Sequence, residues 1–155
     1  MKVRDVMSRD VEVLEPGITV HEASRRMAKR DAGAMPVGEN GRLVGMLTDR
    51  DVVVRVVAEN RNPAAVTVRE AMTPEVEWCF EDDELGSAGA RMSESKVRRL
   101  PVLDRDRRLV GILSVGDLAR EEAGRATVTA LHGAAQPGGP HAQTAFAGDK
   151  PARAE

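Results

Sequence analysis

The ten residues RLVGMLTDRD at positions 42–51 return at 108–117 as RLVGILSVGD, with four changes. The echo belongs to a longer repeat. VRDVMSRDVEV (3–13) aligns with VREAMTPEVEW (68–78) at a shift of 65, Met27 aligns with Met92, and Met35-Pro36-Val37 aligns with Leu100-Pro101-Val102. Beyond that point the shift is 66, and the added residue falls between Val102 and Leu109, where GENGR gives way to LDRDRR. Both stretches have the polar composition of a turn between apolar runs, and a hairpin loop is where a structural repeat tolerates an insertion. The chain must therefore fold as two copies of one supersecondary unit.

Each copy reads as the same series of elements. In the second, Thr67-Val-Arg-Glu70 has the spacing of a capping box and opens a short helix through Met72; the first copy starts with the similar Val3-Arg-Asp-Val-Met7. Alternating apolar residues predict a strand at Val11–Val13 and another at Val76–Trp78. Thr19-Val-His-Glu22 is a further capping box, and Val20, Ala23 and Met27 share one face of the helix it opens, a face kept as Leu85, Ala88 and Met92. A strand at Ala34–Val37 or Arg99–Leu103, a turn, a strand at Leu43–Leu47 or Leu109–Leu113 and a helix carrying VVVRVV or LAREEA complete the copy.

The fold class is thus α/β (α+β), with two repeats, each helix-strand-helix-strand-strand-helix. One unit of about sixty residues would leave a sheet face uncovered and bury too little apolar surface, so the two are expected to pack with pseudo-two-fold symmetry. The first repeat is residues 1–60, the connection 61–65 and the second repeat 66–123. Residues 124–155, rich in Ala, Gly, Pro and polar side chains and without periodicity, read as a disordered tail.

Composition narrows the partners. Charged residues make up 31% of the chain but cancel to a net −2, leaving no basic field to attract nucleic acid or anionic lipid. Aromatic residues are only 2%, too few for the stacking surfaces of single-stranded nucleic acid binding. Cys79 is the single cysteine, which rules out an intramolecular disulfide, and no segment approaches bilayer-spanning length. A cytoplasmic protein with no nucleic acid and no membrane partner is the expectation. His21, His132 and His141 stand in no ligand spacing with one another or with Cys79, so no metal site is expected, and no nucleophile is paired with a base, so neither is an enzyme. Cys79, beside Trp78 and Phe80, reads as a buried hydrophobe. The acid run Glu81–Glu84 and the arginines at 105, 107 and 108 read as a solvated helix start and a solvated turn.

Two readings stay open for the repeated phrase. Thr48-Asp-Arg-Asp51 and Ser114-Val-Gly-Asp117 each follow a strand and open a helix, and a hydroxyl followed three residues later by an acid is a helix cap. A helix start also attracts phosphate, to which a Thr or Ser hydroxyl donates, while the carboxylate can accept both hydroxyls of a ribose. That combination describes a nucleotide. Gly45 and Gly111, three residues ahead, permit close backbone approach or only ease packing.

The pattern hydrophobic-Pro-Val, polar turn, Leu-Val-Gly-hydrophobic-Leu-Thr/Ser-x-x-Asp, present twice and each time preceded by a short helix ending in Met-Ser or Met-Thr, resembles a tandem pair of CBS domains, a Bateman module. The resemblance covers nearly all of residues 1–123 and extends to stand-alone bacterial CBS-pair proteins. It implies two related clefts between paired sheets, which in many members take adenosine-containing ligands such as AMP, ADP, ATP or S-adenosylmethionine. Carried over by position, it implies that Asp51 and Asp117 hold the ribose, that Thr48 and Ser114 lie near the phosphate, and that Met46 and Ile112 line the adenine slot. Arg50, on the same turn, would reach a phosphate; its counterpart Gly116 cannot. Arg98 and Arg99 fill places that are often basic in members with charged ligands, whereas the first copy has Gly33 and Ala34, so the clefts should differ in phosphate affinity. The function so implied is a regulatory module that binds an adenine nucleotide, requires no cofactor, forms a homodimer through its helices and signals by conformational change to an unknown protein partner. The alternative is a ligand-free interaction or stress-response scaffold.

Overall fold

The computed structural model describes residues 1–121; the expected tail at 124–155 lies outside the described residues. Each apolar run that flanks a polar turn forms a hairpin, and each hairpin anchors a small sheet. In the first, β1 (Ala34–Glu39) pairs antiparallel with β2 (Arg42–Thr48) across Asn40 and Gly41, whose φ values of 55° and 77° supply the left-handed pair a two-residue turn requires. β3 (Thr73–Pro74) completes that sheet in the order β1-β2-β3. The second sheet has the order β4-β5-β6, from β4 (Cys79–Phe80), β5 (Arg99–Leu103) and β6 (Leu109–Ser114). Both hairpins shift register at the matching point, between Val37 and Gly38 and between Val102 and Leu103.

The helices follow their predicted caps. α1 (Val20–Arg30) starts at Thr19, whose Oγ1 accepts the Glu22 N–H at 3.1 Å, and buries Val20, Ala23 and Met27. Two shorter helices follow: α2 (Asp49–Val52), which runs on into a π-helical turn at Val53–Val57, and α3 (Val68–Ala71). α4 (Leu85–Ser95) buries Leu85, Ala88 and Met92 as expected, and α5 (Val115–Arg120) closes the described chain. The first short helix of the chain is a single 3-10 turn, Val3–Asp5. No helix among the described residues is long and apolar enough to cross a membrane.

One expectation fails. No strand forms at Val11–Val13 or Val76–Trp78; pairing comes later, at Leu14, which bridges Val37 in parallel, and at β4, which pairs in parallel with β5. The reason is that the chain changes sheets in these stretches. Ser8 exchanges both backbone hydrogen bonds with Ile112 of β6, each 2.9 Å, before Leu14 reaches β1. Likewise β3 pairs with Gly45 and Met46 of β2 before β4 reaches β5. A segment crossing between sheets cannot ladder with either, whatever its alternation.

Each repeat therefore lends its opening segment to the other. Val3 and Met7 are buried with Cys79, Leu85, Leu100 and Leu118, while Val66, Val68, Ala71 and Met72 are buried with Leu14, Val37 and Leu47. Gly45 and Gly111 make the exchange possible. A Cβ on Gly45 would lie 2.7 Å from the Thr73 carbonyl oxygen, and one on Gly111 would lie 2.8 Å from that of Ser8. The group these glycines admit is the protein's own backbone.

The acid run is not simply solvated. Asp82 pairs with Arg105 at 2.9 Å, the Asp83 carboxylate accepts the Phe80 N–H at 3.0 Å, and Glu84 pairs with Lys2 at 2.5 Å. The turn arginines are also engaged: Arg105 lies 4.2 Å over the Phe80 ring and Arg107 5.5 Å over Trp78. Cys79 is fully buried, as expected.

Candidate functional site

β2 and β6 run directly into α2 and α5, and the junction is built the same way twice. The Asp51 N–H donates to Thr48 Oγ1 at 3.0 Å while Asp51 Oδ2 accepts the Thr48 N–H at 2.9 Å. The Asp117 N–H donates to Ser114 Oγ at 3.2 Å, and Asp117 Oδ2 accepts from the Ser114 N–H and hydroxyl, both at 2.7 Å. Both phrases are thus capping boxes. They also hold the buried charge: Asp51 is 7% exposed and Asp117 5%, and with Thr48 and Thr73 they make up the buried polar residues among those described. A buried carboxylate needs hydrogen-bond partners, and the cap supplies them to one oxygen.

The other oxygen differs between copies. Asp51 Oδ1 accepts the Thr73 hydroxyl at a long 3.3 Å and lies 3.7 Å from Arg55 Nη1. Asp117 Oδ1 is closed by a short ion pair with Arg120, whose side chain is otherwise exposed. An incoming pair of hydroxyls would find a weakly held acceptor at Asp51, and at Asp117 one that Arg120 must first leave. Arg55 also donates to the Ala71 and Met72 carbonyls at 2.9 and 2.6 Å, joining Asp51 to the end of α3.

Between the repeats lies a cavity of about 230 Å³ in which Arg99 and Ile112 of the second copy meet Val11, Ala34 and Pro36 of the first. Asp10, Glu12 and Arg30 also line it, and Arg30 is engaged by both acids, at 3.3 and 3.7 Å. Arg99 lies opposite Ser114 in the β5–β6 ladder, so the cavity is close to the second cap. Met46 does not line it; it is 2% exposed, between Pro36 and Thr73 on its neighbouring strands. Arg98 is exposed, and Arg50 is half-buried on α2; neither lines the cavity. Among the described residues no three His, Cys, Asp or Glu side chains are grouped to hold a metal ion.

Sequence reasoning missed Thr73, Arg55, Arg120 and Val11. Thr73 had a signal, since it is the Thr of the Met-Thr ending that marks the second copy. The arginines stand four and three residues after their aspartates, a helical spacing that brings opposite charges together.

The comparisons with known proteins agree with one another. The CBS domain family model matches twice, at residues 3–58 and 68–124. The CBS domain-containing protein YhcV of Bacillus subtilis is 38% identical over 135 residues, which is 84% of this chain and 95% of the relative. A solved structure of hypoxic response protein I with two coordinated zinc ions is 34% identical at TM-score 0.71, covering 77% of this chain and 98% of that one; the like-named relative is from Mycobacterium tuberculosis. CBSX2 of Arabidopsis thaliana, solved in complex with AMP, is 27% identical at TM-score 0.68, covering 79% of this chain and 96% of that one.

Proposed function

This chain belongs to the CBS domain family as a tandem pair, and from that premise we propose that it is a regulatory module binding an adenine nucleotide between its repeats. The observation that carries the reading is the cavity shared by Arg99 and Ile112 with Val11, Ala34 and Pro36. It sets the aliphatic side chains of Val11, Ala34, Pro36 and Ile112, against which a flat base can lie, beside the Arg99 guanidinium, suited to phosphate, with the carboxylates of Asp10, Glu12 and Asp31 completing a largely polar lining. At about 230 Å³ it is smaller than most small-molecule sites, so the base enters and the phosphates stay toward solvent near Arg99. The ribose is taken by the carboxylate of the repeated phrase, Asp117 through displacement of Arg120, and Asp51 in the related cleft. The AMP complex of CBSX2 supports this ligand class by similarity. Reporting occupancy to a protein partner needs a difference in ligand affinity between two arrangements of the repeats, and no catalysis.

The caps favour a second reading. Both carboxylates already have partners within the fold, one oxygen in its own capping box and the other on Thr73 and Arg55 or on Arg120, so the phrase can serve structure alone in a ligand-free scaffold.

Thermal melting with AMP, ADP, ATP, NAD and S-adenosylmethionine separates the two. Ligand at a hundredfold its Kd adds about 2.7 kcal/mol of stability, a clear rise in Tm. Arg99→Ala, at a half-buried side chain, should remove the rise without lowering the unliganded Tm. Asp117→Ala should lower that baseline by about 1 kcal/mol for the lost cap, so only its ligand-dependent shift is informative. No shift with any of the five at millimolar concentration leaves the scaffold reading.

A further inference from the structure

A second cavity lies at the other end of the sheets. Its volume is about 420 Å³, within the usual range of small-molecule sites. Arg42, which lines it, and Thr48 are the first and last residues of β2, so at ~3.3 Å per residue roughly 20 Å separates it from the first cap. None of the nine residues discussed above as nucleotide ligands lines it. Leu43, Val44, Val76 and Leu103 give it apolar surface. Trp78, the chain's one tryptophan, adds an aromatic ring, and Arg42 and Arg107 add two guanidinium groups. Glu75 is the one acid in the lining, which is net cationic. Among the described residues no carboxylate pairs with either arginine: Arg42 donates to the Asp106 carbonyl at 3.1 Å, and Arg107 lies over the Trp78 ring.

The pseudo-symmetric position is an internal control. There Val13 stands for Trp78, Gly38 for Leu103, Leu109 for Leu43 and Gly41 for Arg107, around a smaller cavity of about 290 Å³. Gly41 and Arg107 both hold a left-handed backbone, at φ 77° and 62°. Glycine takes that conformation freely, whereas arginine is strained in it. The second copy has an arginine on a strained backbone where the first has an unstrained glycine, and places its guanidinium against the only indole of the chain.

We propose that this cavity binds an amphiphilic organic anion, a flat apolar ring lying against Trp78 and the aliphatic side chains with its carboxylate or phosphate held by Arg42 and Arg107. Trp78 reports on the site without background, because the chain has no other tryptophan and no tyrosine. Titration of the full chain with phenyl phosphate should change its fluorescence saturably. Inorganic phosphate and benzyl alcohol, each carrying half of the ligand, should act far more weakly. Arg107→Gly should weaken phenyl phosphate about tenfold, the loss of one charge-assisted hydrogen bond, while folding normally, since glycine suits that backbone. Trp78→Val, followed by calorimetry, should abolish binding. Arg99→Ala, in the nucleotide cleft, should leave phenyl phosphate binding unchanged, so failure of the nucleotide reading is seen separately. The proposal is overturned by the absence of a saturable response at millimolar phenyl phosphate, by an equal response to inorganic phosphate, by binding unaltered in both cavity variants, or by loss of binding in Arg99→Ala.

Discussion

Single residues carry two kinds of information in this chain, one chemical and one steric. Cys79 is fully buried among aliphatic side chains of the second core, and burial, reinforced by the nearby Asp83 carboxylate, pushes its thiol up to about 12. The thiolate is the reactive form, so the folded protein should resist a thiol-exchange reagent at pH 8 and react in denaturant at the rate of a free cysteine. The sign for stability follows. A group whose proton is held more tightly when folded destabilises the fold as pH rises from its unfolded value toward its folded one. Stability should therefore fall between the ordinary thiol value of 9.0 and about 12. Denaturant curves across that interval should be flatter in Cys79→Ala than in the parent after subtraction of the shared trend; equal slopes would mean that the thiol titrates normally. Asp51 and Asp117 are informative for a different reason: their charges are buried, and each has one oxygen committed to its cap.

At the scale of elements, the glycines of β2 and β6 set a sharper test of the exchanged segments than any apolar side chain. Alanine at Gly45 or Gly111 would press a methyl group against a backbone oxygen of the neighbouring segment, which cannot move without pulling Met72 or Met7 out of the core. Each substitution should cost about 1–3 kcal/mol by overpacking, read as a lower midpoint in denaturant, whereas Gly86→Ala in α4, with open space around it, should be neutral or stabilising. The hairpins, the long helices and their buried faces were legible in the sequence because they depend on local periodicity and capping. Thr19, Thr48, Thr67 and Ser114 all stand where a helix begins. The crossing segments were not legible. Val11-Glu12-Val13 alternates like a strand, yet its neighbours are fixed by Ser8 on one sheet and Leu14 on the other, a long-range constraint that a local pattern does not encode. For the same reason the phrase residues could be named as a group, while Thr73, which reaches Asp51 from the other repeat, could not be placed beside it.

At the scale of the whole molecule, an apolar surface among the described residues is left uncovered on the stretch that follows α2. Val53 and Val57, one helical turn apart in the π-helical stretch, are 56% and 62% exposed, and Val54 between them is half-buried. Such side chains are where the homodimer that the family resemblance implies can be tested. Sedimentation of the parent should give a dimer and Val53→Glu/Val57→Glu a monomer that still melts cooperatively; a monomeric parent would remove the dimer from the account. The reciprocal loan of opening segments bears on a different matter, the order in which the chain acquires structure during its synthesis. When residue 60 has left the ribosome, the first core still lacks Val66, Val68, Ala71 and Met72, and Val3 and Met7 wait for a core that Leu118 completes. The first core can close once Met72 has emerged, whereas the second joins Val3 and Met7 from the start of the chain to Leu118 near the end of the described residues, so the newborn chain must hold its opening segment unburied until nearly all of that stretch exists.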